Sequence, residues 1–298
     1  MMVRGIFPAL TTPFQSDESV HVSALKENIQ RYNQTGVAGY VVLGSTGESV
    51  MLSRDEADSI FVAVRDTAAP GKLLIAGTGA ESTAETIVRT KRAAQLGYPV
   101  ALVKTPYYYK PVYRAETYIQ HYRAVADASP IPILLYSVPQ FTGITLETPE
   151  ILKLAEHLNI IGIKDSSGHI QRVGEIVAGA RSDFRVLTGG SAVVYPALVL
   201  GAQGAVLALA SALPEKCAEL FELAQNGEHE KARELQLLLT AASKSIVSDA
   251  GIPGVKYAMD LRGYYGGVCR RPLLPVLEEK KQSIAAVVSQ LHPVAARV

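Results

Sequence analysis

The sequence predicts a (β/α)8 barrel, or TIM barrel, with a C-terminal helical extension. Short apolar runs alternate with longer amphipathic segments through most of the 298 residues, which is typical of βα units with a parallel sheet. Eight such runs follow one another, and about one helical segment separates consecutive runs, as right-handed crossovers require. A doubly wound open sheet is the alternative architecture, but it usually has fewer strands.

The predicted strands are the eight apolar runs, at residues 5–10, 39–43, 73–76, 100–103, 131–136, 160–163, 185–187 and 205–209. Two helix starts carry the capping-box spacing, because Ser53 and Ser82 each precede a glutamate by three residues. Thr148 before Pro149 predicts a third start, with the threonine as N-cap and the proline as the first helical residue.

The strand signals stop near Pro214, and helical patterns follow at residues 215–225, at 229–247 and from Pro275 onward. We therefore expect a barrel over residues 1–213 and a helical extension over residues 214–298 that packs on it. Residues 188–213 carry no charge, but Pro196 and Gly201 break them into pieces shorter than the roughly 20 apolar residues of a spanning helix. They predict a buried helix, a turn and a buried strand.

The charge balance indicates a small-molecule partner. With 29 basic and 28 acidic residues the formal net charge is +1, which provides no basic surface for nucleic acid or a membrane. Cys217 and Cys269 lie far apart and form neither a metal-ligand spacing nor a disulfide framework. Because the N-terminal residues also do not resemble a signal peptide, we expect a cytoplasmic protein.

Reactive side chains follow four of the predicted strands, at residues 44–48, 105–109, 136–139 and 164–167. Functional groups of a barrel gather at these carboxyl ends, where the βα loops form the mouth. Lys164 is the most informative, because strand alternation puts it on one face with Gly162 and Ile160. If that face is the barrel interior, desolvation favours the neutral amine that attacks a ketone. The alternative is a lysine that reaches solvent or pairs with an acid.

The residues at the other strand ends each allow more than one interpretation. Tyr136 is either a proton-transfer group beside Lys164 or an amphipathic side chain that covers the core. Ser45 and Thr46, between two glycines, either hold a substrate carboxylate or form an ordinary turn. The tyrosine run at residues 107–109 is an active-site wall, a subunit contact or simple packing.

Taken together, these motifs resemble the dihydrodipicolinate synthase / N-acetylneuraminate lyase family of class I aldolases, along essentially the whole chain. The resemblance implies that Lys164 forms the Schiff base and that Tyr136 transfers protons. It also implies that Ser45 is a hydroxyl relay and that Tyr108 reaches into a neighbouring subunit's site, commonly within a homotetramer. No metal and no organic cofactor is expected, because the imine itself is the electrophile.

The same resemblance implies a binding site for a 2-oxo acid such as pyruvate. Thr46 and the Ser45 backbone match the positions that hold the pyruvate carboxylate, and Gly189 and Val206 match positions that line the bound acid. Dihydrodipicolinate synthases usually carry an arginine where this chain has Phe141, and a phenyl ring cannot make the bidentate contact of a guanidinium with a carboxylate.

Three motifs are similar to the 4-hydroxy-2-oxoglutarate aldolase branch, at residues 136–139, at 164–166 and, in the tail, at 251–254 together with 263–270. The leading expectation is therefore cleavage of a 4-hydroxy-2-oxo acid into an aldehyde and the enamine of pyruvate, with Ser166 in contact with the second half of the substrate. The alternative is dihydrodipicolinate synthase (4-hydroxy-tetrahydrodipicolinate synthase), which condenses pyruvate with aspartate semialdehyde. A sugar-acid lyase or dehydratase comes third, and a catalytically silent barrel is the interpretation from another class.

Overall fold

The computed structural model describes residues 3–292, in which eight parallel strands form one sheet in the order β1-β8-β7-β6-β5-β4-β3-β2. The strands are β1 Gly5–Pro8, β2 Gly39–Val42, β3 Leu73–Gly77, β4 Val100–Lys104, β5 Ile133–Ser137, β6 Ile160–Asp165, β7 Arg185–Thr188 and β8 Gly204–Leu207. All eight predicted strands are confirmed, with ends that shift by one or two residues.

The sheet closes into a barrel between β1 and β2. Ala38 donates its backbone N–H to the Ile6 carbonyl at 2.8 Å, and Leu10 donates to the Val41 carbonyl at 3.0 Å. An isolated bridge joins Ala9 and Val41, so the two edges of the sheet meet without a full ladder. The predicted TIM barrel is therefore confirmed.

Twelve α-helices alternate with and follow these strands in the described residues. They are α1 Val22–Tyr32, α2 Arg54–Thr67, α3 Thr83–Gln95, α4 Ala115–Ala128, α5 Pro139–Thr142, α6 Thr148–Ala155, α7 Ile170–Gly179, α8 Val194–Val199, α9 Pro214–Gln225, α10 His229–Ala242, α11 Gly251–Leu261 and α12 Glu278–Leu291. α10 continues as a π-helical segment over Ser243–Ser248. As predicted, the charge-free segment forms a helix, a turn and the buried strand β8.

Two kinds of apolar layer hold the barrel together. The interior is filled by inward-facing side chains of the strands, including Phe7, Val41, Ile75, Leu102, Leu134, Leu187 and Val206. The outer faces of the strands pack against the helices in two further clusters. One of these clusters includes residues of α9 to α12, so the C-terminal helices share the core of the barrel. The predicted division at residue 213 stays a prediction, but α9 packs on β1 and completes the eighth βα unit.

The helix starts agree with the sequence pattern in part. Ser53 and Glu56 form the predicted reciprocal capping box of α2. Ser82 accepts a hydrogen bond from the Glu85 N–H, but the Glu85 carboxylate binds arginines instead of returning the bond. The prediction of Thr148 as an N-cap is wrong, because the hydroxyl donates to Glu175 and the helix already includes this threonine.

The helix α11 is absent from the sequence predictions. Its first turn contains Gly251, Pro253 and Gly254, which are turn-forming residues in a sequence. Proline is nevertheless tolerated in the first turn of a helix, because the backbone N–H groups of that turn have no hydrogen-bond partner within the helix. Within residues 3–292, no helix is long and apolar enough to cross a membrane.

Arg270 fastens the segment after α11 to the barrel. Its guanidinium donates to both carboxylate oxygens of Glu56, at 2.6 and 3.0 Å, and to the Met51 and Glu18 carbonyls. Hydrogen bonds from Arg270 lower the pKa of Glu56 from its ordinary value of 4.5 to about 2. A carboxylate with a lowered pKa stabilises the fold above its ordinary pKa, and this contribution is lost as the pH falls toward the folded value.

We predict that Glu56→Gln lowers the free energy of unfolding at pH 7 by about 1 kcal/mol, since a charged hydrogen-bond pair at a partly exposed site is weakened by solvent. The difference from the parent should shrink as the pH falls from 4.5 toward 2, and urea unfolding at pH 7 and pH 3 measures it. Asp55→Asn is the control, because it removes a negative charge from the same helical turn and leaves the hydrogen bonds between Glu56 and Arg270 intact. Equal stability loss in both variants would contradict the role of Arg270.

Candidate active site

A cavity of about 460 Å³ opens at the carboxyl ends of β5 to β8. It is lined by residues of these strand ends, of the short helix α5 and of the segment from Ser243 into α11. The lining residues are Thr46, Tyr136, Val138, Gln140, Phe141, Lys164, Ser166, Gly168, Gly189, Gly190, Ser191, Ala192, Val206, Ala208, Ser243, Val247, Ser248, Gly251, Ile252 and Val255. The sequence-predicted residues other than Ser45 and Tyr108 all contribute to this wall.

Lys164 is buried inside the barrel, with 4% of its surface exposed. It pairs with Tyr136 across β5 and β6, and its Nζ lies 4.1 Å from the centre of the Tyr136 ring. The next residue, Asp165, points outward. Its carboxylate accepts hydrogen bonds from the backbone N–H and the hydroxyl of Ser167, and lies 3.3 Å from the Arg172 Nε on α7. The amine is therefore held against an aromatic ring and not against a carboxylate.

The expected assignment of β6 side chains to the two faces of the sheet needs one correction. Ile160 does not share a face with Lys164, because it packs in the outer layer with Ile163. An irregularity in the pairing of β5 with β6 shifts the register there, so that Ile161 contacts the interior instead. Gly162 does face the barrel interior, since a Cβ at this position would meet the Arg185 carbonyl oxygen at 2.3 Å and the interior Leu134 Cδ2 atom at 2.9 Å.

Ser45 and Thr46 reach the site from the turn after β2. The Ser45 Oγ lies 3.4 Å from the Tyr136 hydroxyl, and Thr46 lines the cavity directly. The turn is a short 3-10 helix, Ser45–Gly47, between Leu43 and Glu48, which both have positive φ angles (59° and 54°). Left-handed backbone is costly outside glycine, so surrounding contacts must hold this turn in place.

Ser166 and Gly189 are in close contact on neighbouring strand ends. A Cβ atom at Gly189 would lie 1.9 Å from the Ser166 Oγ, so only glycine fits here. Gly189 also donates its N–H to the Asp165 carbonyl at 2.7 Å, and Ser166 donates to the Ser137 carbonyl at 2.9 Å. These bonds fix the loops that follow β6 and β7 against each other.

Phe141 and Gln140 form the outer edge of the cavity on α5. Phe141 is 61% exposed, whereas Val206 on the opposite side is buried in β8. Gln140 donates its amide to the Ser166 carbonyl at 2.5 Å, so it ties α5 to the loop after β6.

Tyr108 does not line the cavity of its own chain. Its side chain is 71% exposed and contacts the ring of Tyr109 edge-on at 5.0 Å. The Glu81 carboxylate accepts the backbone N–H groups of Tyr107 and Tyr108, both at 2.9 Å, which fixes this loop. The pKa of Glu81 is correspondingly lowered by these hydrogen bonds and by Lys104, although burial opposes them.

The sequence did not indicate the wall that the C-terminal extension provides. Ser243, Ser248, Ile252 and Val255 line the cavity from the π-helical segment and α11. The only available signal was the motif at residues 251–254, whose glycines and proline allow α11 to begin at the cavity.

Among the described lining residues, Lys164 is the one with a charged side chain, and serines, glycines and apolar groups make up most of the rest. Within residues 3–292, no group of three or more His, Cys, Asp or Glu lies close enough to hold a metal ion. A second cavity of about 460 Å³ lies between α2 and α3. Most of its charged residues pair with one another, as in the bonds of Arg89 to Glu85 and of Arg92 to Asp58, both at 2.8 Å.

Residues 2–291 match the model of the dihydrodipicolinate synthetase family. The chain belongs to this family. It is therefore an enzyme, a lyase of the Schiff-base aldolase class, as the motifs of the sequence indicated.

The chain is 35% identical over 291 residues to the 4-hydroxy-tetrahydrodipicolinate synthase of Methanothrix thermoacetophila, covering 97% of each protein. It is 38% identical over 293 residues to the synthase of the same name from Archaeoglobus fulgidus, covering 98% of this chain and 99% of the relative. The structure of chloride-inhibited dihydrodipicolinate synthase from Acinetobacter baumannii, complexed with pyruvate, superposes with a TM-score of 0.93. That match has 29% identity and covers 98% of this chain and 100% of the other. These names favour the synthase alternative over the expected 4-hydroxy-2-oxoglutarate aldolase.

We predict that Gly189→Ala lowers the free energy of unfolding by about 1–3 kcal/mol, because the added methyl group overlaps Ser166. Adding Ser166→Gly should restore most of this loss, since it removes the two nearest side-chain atoms. Gly190→Ala is the matched control, because the atom nearest to its Cβ would be the Val193 Cγ2, at an ordinary contact distance of 3.4 Å. Urea unfolding compares the variants, and an unaffected Gly189→Ala protein would contradict the packing argument.

Proposed function

We propose that the enzyme joins pyruvate to an aldehyde through an enamine on Lys164, as a 4-hydroxy-tetrahydrodipicolinate synthase does with aspartate semialdehyde. The observation that carries the proposal is the buried Lys164 amine, 4.1 Å from the Tyr136 ring in a cavity with no other charged side chain among its described lining residues. The names of the relatives support the direction of the reaction.

The reaction begins when the neutral Lys164 amine attacks the C2 ketone of pyruvate. The resulting carbinolamine loses water to give an iminium ion, which acts as an electron sink for loss of a proton from C3. The C3 atom of the enamine then attacks the aldehyde carbon, and the new alkoxide takes a proton. Displacement of the lysine from C2, by water or by an amine of the product, regenerates the enzyme.

Tyr136 is the proposed proton carrier of these steps. Its ring lies against the Lys164 amine and its hydroxyl is 3.4 Å from the Ser45 Oγ, so protons can pass along this pair of hydroxyls. Tyr108 is the proposed third member, supplied by a neighbouring subunit, and its 71% exposure leaves it available for that contact.

The substrate carboxylate is proposed to bind at the turn after β2. Thr46 lines the cavity there, and its hydroxyl and the backbone N–H groups of Ser45 and Thr46 are suitable donors for an anion. Gly189 and Val206 would border the 2-oxo group, and Ser166 and Phe141 would meet the aldehyde part. A homotetramer and a cytoplasmic location belong to the same proposal, and both described cysteines are free.

Cleavage of a 4-hydroxy-2-oxo acid is the second candidate. Phe141 favours it, because dihydrodipicolinate synthases usually have an arginine at this position that holds the carboxylate of aspartate semialdehyde. No other described lining residue supplies a cation besides Lys164. The same enamine is formed in both reactions, so assays with both substrate sets distinguish them. We expect condensation of pyruvate with aspartate semialdehyde to be faster than cleavage, and the reverse would establish the second candidate.

We predict that borohydride treatment in the presence of pyruvate reduces an imine on Lys164. Mass spectrometry of peptides should find the adduct at this residue in the parent enzyme and not in Lys164→Ala, which should have no turnover. Lys104→Ala is a control, because Lys104 is also at a strand end but pairs with Glu81 at 3.0 Å. An unmodified Lys164 in folded parent enzyme would overturn the proposed function.

We predict that Phe141→Arg raises kcat/KM for aspartate semialdehyde by about tenfold, since a hydrogen bond between charged groups contributes about 1.5–3 kcal/mol before ordering costs. Phe141→Leu, which changes the ring without adding charge, should not give this gain. Initial rates with each variant over a range of aldehyde concentrations measure the effect. An equal change in both variants would show that Phe141 acts through its shape alone.

A further inference from the structure

A buried ion pair lies behind the cavity, between Glu48 and Lys256. The Lys256 Nζ is 2.6 Å from the Glu48 Oε1, and the two side chains are 1% and 0% exposed. Burying two charges costs several kcal/mol of solvation, and an apolar pair is often as stable, so stability is a weak reason for such a pair. Neither residue lines the cavity, and none of the proposed chemical steps uses them.

Glu48 belongs to the turn that carries Ser45 and Thr46. Its N–H donates to the Ser45 carbonyl at 3.1 Å, and its own backbone has the left-handed φ of 54°. The turn is also held by the segment after β1, because Thr12 donates its hydroxyl to the Gly47 carbonyl at 2.7 Å. The position of the Glu48 carboxylate therefore determines where Ser45 and Thr46 stand relative to Tyr136 and Lys164.

Lys256 belongs to α11, which forms the opposite wall of the cavity through Ile252 and Val255. Its ammonium also donates to the Val268 carbonyl at 2.6 Å and lies 4.6 Å from the centre of the Phe14 ring. The other Glu48 oxygen accepts the Arg270 backbone N–H at 2.9 Å. Two segments of the C-terminal extension thus hold one carboxylate of the barrel mouth.

We infer that Lys256 and Glu48 are positioning residues, which fix the Ser45–Thr46 turn at the distance from α11 that a 2-oxo acid requires. The inference rests on the proposed function, because it assigns that turn to the substrate carboxylate. The ion pair fixes this distance closely, because a short hydrogen bond between a carboxylate and an ammonium group tolerates little displacement of either residue. The C-terminal extension is then part of the machinery that binds substrate.

Two variants test this without leaving a single buried charge. The double variant Glu48→Gln/Lys256→Met replaces the ion pair with neutral groups of similar size. Glu48→Asp keeps both charges but draws the turn toward Lys256 by one methylene length. For each variant, borohydride trapping on Lys164 is measured against pyruvate concentration, together with KM, kcat and the midpoint of urea unfolding.

We expect the pyruvate concentration at half-maximal trapping to rise by about tenfold or more in both variants, because misplacement of a binding group by about 1 Å costs up to hundredfold. Trapping at saturating pyruvate should still reach the parent level, since Lys164 is unchanged. Lys72→Met is the control. Lys72 directly precedes β3, at the other end of the barrel, and donates hydrogen bonds to the Thr35 and Val37 carbonyls. This variant should lower the urea midpoint without changing the trapping curve.

Half-maximal trapping within twofold of the parent in either folded variant would overturn the positioning role and leave a purely structural ion pair. If the double variant does not fold, Glu48→Asp alone decides, because it retains the ion pair. Failure of the proposed function has a different signature, since the parent enzyme itself would then form no adduct with pyruvate.

Discussion

Closure of the parallel sheet is the constraint on which this site depends. Because strand side chains alternate, a closed barrel directs half of them into an interior that apolar residues fill, and a polar group is tolerated there only near the mouth. Lys164 and Tyr136 occupy paired positions of neighbouring strands at that level. Their contact at 4.1 Å therefore follows from the register of β5 and β6 and needs no separate loop to bring them together. A shift of one residue would exchange Lys164 for Asp165, which faces Arg172 outside the barrel.

The electrostatics of the mouth follow from the same arrangement. Carboxylates close to the site point away from the cavity: Asp165 binds Ser167 and Arg172, and Glu48 binds Lys256. The described lining residues consequently include no carboxylate that could pair with the Lys164 amine. An anionic substrate would meet no negatively charged side chain in this described wall.

The sequence was sufficient for those features that depend on local pattern. Alternation predicted that Lys164 and Gly162 share one face of β6, and the serine-to-glutamate spacing predicted the capping box of α2. The sequence predictions failed where a distant residue forms the hydrogen bond instead, as Glu175 does when it accepts the Thr148 hydroxyl. They also failed where the register between two strands shifts, as at Ile160. The helix α11 was not predicted, because the glycines and the proline of its first turn are residues typical of turns. The pairing of Glu48 with Lys256 has no local signal at all, because the two residues meet only after the extension has packed on the barrel.

These limits also explain why the chemistry is easier to infer than the substrate. Lys164, Tyr136 and the turn after β2 lie on the strands and their immediate ends, where closure fixes their geometry. Of the two residues proposed to meet the aldehyde, Ser166 directly follows β6, but Phe141 lies on α5, which the pairing of the strands does not position. The aldehyde half of the site is therefore less tightly tied to the barrel than the half around Lys164. Phe141 illustrates this separation, because it is an exposed and uncharged residue of α5, whereas Lys164 is placed by the pairing of β5 with β6.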